Sequence, residues 1–97
     1  MAFKLQDQNA EDFFRAILSL ETSEECASFF EDLCTVKELQ AMIQRLNVAR
    51  MLSSGKLYSE IVKQTGASTA TISRVNRCLL YGSGGYNMIL ERLSEEN

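Results

Sequence analysis

One glycine constrains this chain more than any other residue. Residues 56–79 read KLYSEIVKQTGASTATISRVNRCL, with Ile61 and Val62 before Gly66 and with Ile72, Val75 and Leu79 after it. The later three recur at helical spacing and the earlier two give a short helix its apolar side, so the stretch predicts a helix-turn-helix. Gly66 can take the left-handed conformation that ends the first helix without steric cost. Ser68 or Thr69 can then cap the second helix with a hydroxyl.

That second helix carries short polar and methyl-bearing side chains, Ser68, Thr69, Ala70, Thr71 and Ser73, flanked by Arg74 and Arg77. Such a face can reach base edges in a major groove: hydroxyls donate or accept, methyls touch thymine, and arginines reach phosphates or guanine. Many soluble helical proteins also place two short helices about a glycine, and a Ser/Thr-rich face is equally compatible with plain solvation. Charge separates the two readings.

The net charge of −3 argues, taken whole, against nucleic acid, yet the charges are segregated. Residues 1–36 set Lys4 and Arg15 against eight carboxylates, a net of −6. Residues 37–79 set Lys37, Arg45, Arg50, Lys56, Lys63, Arg74 and Arg77 against Glu38 and Glu60, a net of +5. The remaining tail, with Arg92 against Glu91, Glu95 and Glu96, is −2. The positive segment coincides with the helix-turn-helix and the helix before it, where phosphate contacts would be needed.

A chain of 97 residues is expected to form one small domain with a modest core, and burying further surface against a second copy would help it. No apolar run is long enough for a bilayer and the N-terminal stretch is polar and acidic, so a cytoplasmic protein without a membrane partner is expected. Cys26, Cys34 and Cys78 form no CxxC pair, and reduced thiols are the expectation. Cys34 and Cys78, flanked by apolar residues, read as small buried hydrophobes. Histidine is absent, which leaves serine without its usual base and zinc without its usual ligand. With no glycine-rich phosphate loop either, the chain reads as a non-enzyme without catalytic or metal-binding residues.

In order, the chain reads as helices from end to end. Asn9 or Asp12 can start the first, whose Phe13, Phe14, Ile17 and Leu18 form a stripe ending near Leu20. Thr22 with Glu25 makes a capping box opening a helix expected to bury Cys26, Phe29, Phe30 and Leu33. Thr35 with Glu38 makes a second, from which a longer helix runs through Leu39, Met42, Ile43, Leu46 and Ala49 towards Leu52. Four phenylalanines exceed what one short hairpin can cover, so part of the core is expected to be intermolecular. The helix-turn-helix then begins at Leu57 and Tyr58 without a clear capping residue. After Leu79, glycines at 82, 84 and 85 form a flexible break before a last amphipathic helix with Tyr86, Ile89, Leu90 and Leu93, which can pack on its own chain or on a partner. The division expected within the single domain of residues 1–97 is a helical dimerisation core at 9–55, the helix-turn-helix at 56–79 and a C-terminal helix at 86–94.

The segment TGASTATISR at residues 65–74 resembles the recognition segment of the tryptophan repressor superfamily, and the chain is similar to its YerC/YecD branch. The likeness is strong over residues 35–78 and follows the helical ends in outline. It implies an all-α, six-helix fold forming an intertwined homodimer, with one DNA-reading head per chain and half-sites roughly 34 Å apart. It also implies an amino-acid co-repressor between head and core, with Arg45 and Arg74 matching two arginines of that pocket, Thr35 its wall, and Cys78 the place of a serine that holds the ligand's amino group. Val75 stands where the tryptophan-binding protein has glycine. A thiol for a hydroxyl and added volume for an indole point away from tryptophan and towards another amino acid or its metabolite. Arg45 and Arg74 could equally contact phosphates or surface carboxylates.

Together these features predict a repressor that binds a double-stranded DNA operator as a homodimer. Thr69, Ala70 and Ser73 would lie at base edges and Thr71 and Lys63 near phosphates, with Ser68 and the flanking Arg77 also expected to bind DNA. The alternative is a helical protein-interaction module that keeps the fold without reading DNA.

Overall fold

Hydroxyl and carboxylate caps at Asp7, Thr22, Thr35 and Ser68 set where four helices of this chain begin. The computed structural model describes residues 7–95; Lys4, Glu96 and the start of the polar N-terminal stretch lie outside them. Six helices follow in order: α1 Gln8–Leu18, α2 Ser23–Leu33, α3 Val36–Ser53, α4 Tyr58–Thr65, α5 Thr69–Tyr81 and α6 Gly85–Glu95. No strand occurs among the described residues, and the fold is all-α as expected. None of these helices is long and apolar enough to cross a membrane. The chain divides into two compact units, residues 1–39 and 40–97.

In the first unit α1 starts from Asp7, whose carboxylate accepts the Asn9 N–H at 2.9 Å, rather than from Asn9 or Asp12. Three Asx residues within six positions could each cap a helix, and the one furthest upstream adds a turn of hydrogen bonds. At α2, Thr22 Oγ1 accepts the Glu25 N–H at 3.1 Å, while the Glu25 carboxylate reaches past it to the Glu21 N–H at 2.8 Å. The box at Thr35 and Glu38 is fully reciprocal, with bonds of 3.1 and 2.8 Å.

Neither α1 nor α2 contains a buried residue. Cys26 and Leu33 are exposed and Phe29 and Phe30 only half-buried, so the burial expected of α2 is not reached within one chain. The reason is geometric. Phe13–Phe14 and Phe29–Phe30 are sequence neighbours whose rings pair at 5.7 and 5.5 Å. Neighbours stand about 100° apart round a helix, so two short helices cannot turn all four inward.

The second unit has a core of Val48, Ala49, Ile61, Ala67, Ile72 and Val75, against which Met51, Leu52, Leu79, Tyr86 and Leu90 pack. Ile72 and Val75 take the places their spacing predicts. Val62 does not: it is exposed, because Ile61 already occupies the inward side of a helix of eight residues. In α3 the inner positions are Val48 and Ala49, while Ile43 faces out at 54% exposure. The entry to α4 lacks a side-chain cap at Leu57, as expected, but the Glu60 carboxylate accepts the Leu57 N–H at 3.2 Å and supplies half a box.

Gly66 ends α4 at φ +73°, donating its N–H to the Val62 carbonyl at 2.9 Å. After α5 the chain turns at Gly82, whose N–H reaches the Cys78 carbonyl at 2.9 Å. A Cβ there would lie 2.4 Å from that same oxygen. The last helix packs back on its own unit through Tyr86 and Leu90, and Asn87 Nδ2 donates to the Leu79 carbonyl at 3.0 Å. Cys78 is exposed and Cys34 half-buried, correcting the expectation that both are buried hydrophobes. Cys78 follows Ala70 and Arg74 at steps of four, a stripe apart from the Ile72, Val75, Leu79 face.

The two turn glycines should respond differently to alanine. Gly66→Ala meets no atom within 4 Å, so its cost is that of left-handed backbone, about 1–2 kcal/mol. Gly82→Ala must instead displace backbone and should cost at least as much, with loss of helix at the end of α5. Urea unfolding of the two variants, with far-ultraviolet circular dichroism, measures both.

Candidate nucleic-acid interface

Ser68, in extended conformation, accepts the Thr71 N–H at its hydroxyl oxygen and donates the hydroxyl proton to Thr71 Oγ1, both at 3.1 Å. The sequence left Ser68 and Thr69 open as caps; Ser68 fills the role. Its hydroxyl and that of half-buried Thr71 are thereby tied to one another and shape the start of α5. Thr69, Ala70, Ser73 and Arg77 are exposed and share one side of the helix at steps of three and four, opposite Ile72 and Val75. Among the described residues the N–H groups of Thr69 and Ala70 have no partner, which leaves the positive end of α5 open to an anion.

Lys63 is exposed on α4, and Arg74 and Arg77 are exposed on α5. Among the described residues no carboxylate lies within 4.0 Å of these three, whereas Arg15 in α1 pairs with Asp12 at 3.9 Å. Arg45 is half-buried on α3. Thr35 belongs to the first unit, where its N–H and hydroxyl are engaged by Glu38. Of the residues that resemblance assigns to a ligand, Arg45, Arg74 and Cys78 belong to the second unit and Thr35 to the first.

Sequence reasoning missed the polar joint behind α5. Gln44 Nε2 donates to the Thr65 carbonyl, the last of α4, at 3.1 Å. Thr65 Oγ1 donates to the Ile61 carbonyl at 2.6 Å and accepts the Ala67 N–H at 3.1 Å. A threonine just before a helix-ending glycine is a signal for the local part. The partner at Gln44 lies 21 residues away and leaves none.

Glu38 has its carboxyl held below the ordinary glutamate range, first by the Thr35 N–H and then by the Thr35 hydroxyl, with slight burial opposing. A depressed folded-state pKa stabilises above the unfolded value and is lost as pH falls through the folded one. The Thr35 amide should therefore be protected at neutral pH and lose protection below the ordinary glutamate range. In Glu38→Gln that protection should no longer depend on acid, which proton-exchange spectroscopy can follow.

The fold and this face define a helical protein with a helix-turn-helix whose second helix offers a polar, cation-flanked surface. Residues 8–94 match the sequence model described as Trp repressor protein. The chain is 54% identical over 92 residues to YerC of Bacillus subtilis strain 168, described as uncharacterized, covering 95% of this chain and 88% of that one. The crystal structure of a TrpR-like protein from Eubacterium eligens ATCC 27750 is similar at TM-score 0.90 and 51% identity, with 93% of each chain covered. A Staphylococcus aureus protein provisionally assigned as a Trp repressor is similar at TM-score 0.84 and 54% identity, covering 87% of this chain and 84% of that one. The chain belongs to the Trp repressor family.

Proposed function

We propose that the protein is a sequence-specific transcriptional regulator, acting as a repressor, that lays α5 in the major groove of an operator. The observation that carries this reading is the exposed face of Thr69, Ala70, Ser73 and Arg77 beside Lys63 and Arg74, which have no carboxylate within 4.0 Å among the described residues. In it Thr69, Ala70 and Ser73 meet base edges, and Lys63, Arg77 and the open amides of α5 meet phosphates. Ser68 and Thr71 set the shape of the helix start, with Thr71 close to the backbone of the duplex. Because the reading side chains are short, base preference rests partly on bridging water and on the deformability of the DNA.

The same reading makes the protein a homodimer in the bacterial cytoplasm. Leu18 is 81% exposed and Val36 71%, alongside half-covered phenylalanines, and an apolar surface of this kind is what a second copy would cover. Arg45 and Arg74 are offered to the carboxylate of an amino acid or related metabolite that tunes the head. Val75, buried in the core, occupies volume on the inner side of α5 and disfavours an indole. Thermal-shift screening against amino acids and their biosynthetic intermediates tests for that effector, since a ligand favouring the folded form raises the melting temperature.

Thr69→Glu should abolish operator binding in a gel-shift titration while the dimer stays folded. A carboxylate at the first position of α5 favours the helix dipole, so lost binding would not reflect lost structure. Unchanged affinity would refute this placement of α5. Raising salt should weaken wild-type binding steeply while preference for one duplex persists; a protein-interaction module would show neither. Leu18→Glu should shift the sedimenting species from dimer towards monomer.

A further inference from the structure

We infer that Gln44 is the residue that sets the angle of the DNA-reading head on α3, an inference that rests on the regulator reading above. Its amide donates to the Thr65 carbonyl at 3.1 Å, a partly buried bond spanning 21 residues. The acceptor is a backbone oxygen, so only the nitrogen end of the amide can face it, and the orientation of the side chain is fixed by chemistry.

The bond reaches α5 through a short chain of contacts. Thr65 closes α4, and its hydroxyl bridges the Ile61 carbonyl and the Ala67 N–H. Ala67 is 2% exposed, seated in the core between the two helices of the head. The next residue, Ser68, caps α5. A shift of Gln44 relative to Thr65 would therefore move the start of the reading helix, where Thr69 and Ala70 stand. Val48 and Ala49, one turn further along α3, pack in the same core as Ile72 and Val75. Apolar contact of that kind holds the head against α3 and sets which face of α5 turns inward. It is not directional, and it fixes the angle less closely than a hydrogen bond does. The hydrogen bond adds the direction. The chain thus supplies part of the orientation of its own head through this bond.

The test uses the full chain with three variants: Gln44→Met, which keeps the size and removes the donor; Gln44→Glu, which puts an acceptor against the carbonyl; and Gln44→His, which restores an N–H at similar reach. Two readouts are needed. Amide exchange at Gly66 and Ala67 should speed up roughly tenfold in the Met and Glu variants, with α1 and α2 unchanged, and return towards wild type with His. Preference for a duplex selected from a random pool over a scrambled duplex should fall about tenfold in the same two variants and recover with His, in the absence of any added ligand. Binding to the scrambled duplex and its salt dependence should stay as in wild type.

Unchanged exchange at the joint overturns the inference. So does a fall in melting temperature with duplex preference intact, which would make Gln44 a purely structural residue. If exchange responds as expected but the wild-type protein prefers no duplex, the tie between Gln44 and the head stands and the DNA-reading function falls.

Discussion

The joint between α4 and α5 must turn the chain sharply while leaving no buried amide or carbonyl without a partner, and the second unit follows from how it does so. Gly66 supplies the left-handed turn, and its N–H returns to α4. Thr65 takes up the Ala67 N–H, and Gln44 takes up the Thr65 carbonyl. With those groups satisfied, Ala67 can be buried, and Ile61, Ile72 and Val75 close on Val48 and Ala49. Which side of α5 stays in solvent is then decided. The hydroxyl face is exposed because the opposite face is taken.

Features that depend on neighbours three or four residues apart were legible in the sequence. The caps at Thr22, Thr35 and Ser68 and the stop at Gly66 are all of this kind. Apolar faces were legible where one helix has one face, as in α5. They were not legible in α4, where Ile61 and Val62 compete for one inward direction, or in α3. That helix carries apolar residues on every side, so periodicity gives no reason to bury Val48 and expose Ile43. Helices of that type are placed by their partners rather than by their own pattern.

The candidate site divides along the same line. Its surface residues could be read from the sequence because exposure follows from the helix face. That the Thr71 hydroxyl bonds the Ser68 cap could not be read, because whether a hydroxyl looks outward or bonds its neighbour depends on a rotamer. Gln44 was invisible since nothing local explains it. Cys78 was misplaced because an apolar neighbour such as Leu79 says less about burial than position round the helix does.

Charge is the remaining discriminator, and it acts locally. Over about 10 Å in ordinary salt, exposed charges stop sensing one another, so a net charge summed over the chain says little about one face. Between residues 40 and 90 the one carboxylate is Glu60. It is engaged by the Leu57 N–H at the start of α4 and complements that helix's dipole. The four helices before α5 each carry at least one acidic residue in the first turn, Glu11, Glu24 with Glu25, Glu38 and Glu60. In α5 and α6 the first turn carries none. Helix stability by itself would favour an acid there by about 0.3–1 kcal/mol. A helix start without that acid keeps its positive end unneutralised, and in α5 the same helix carries Arg74 and Arg77, which among the described residues have no carboxylate within 4.0 Å.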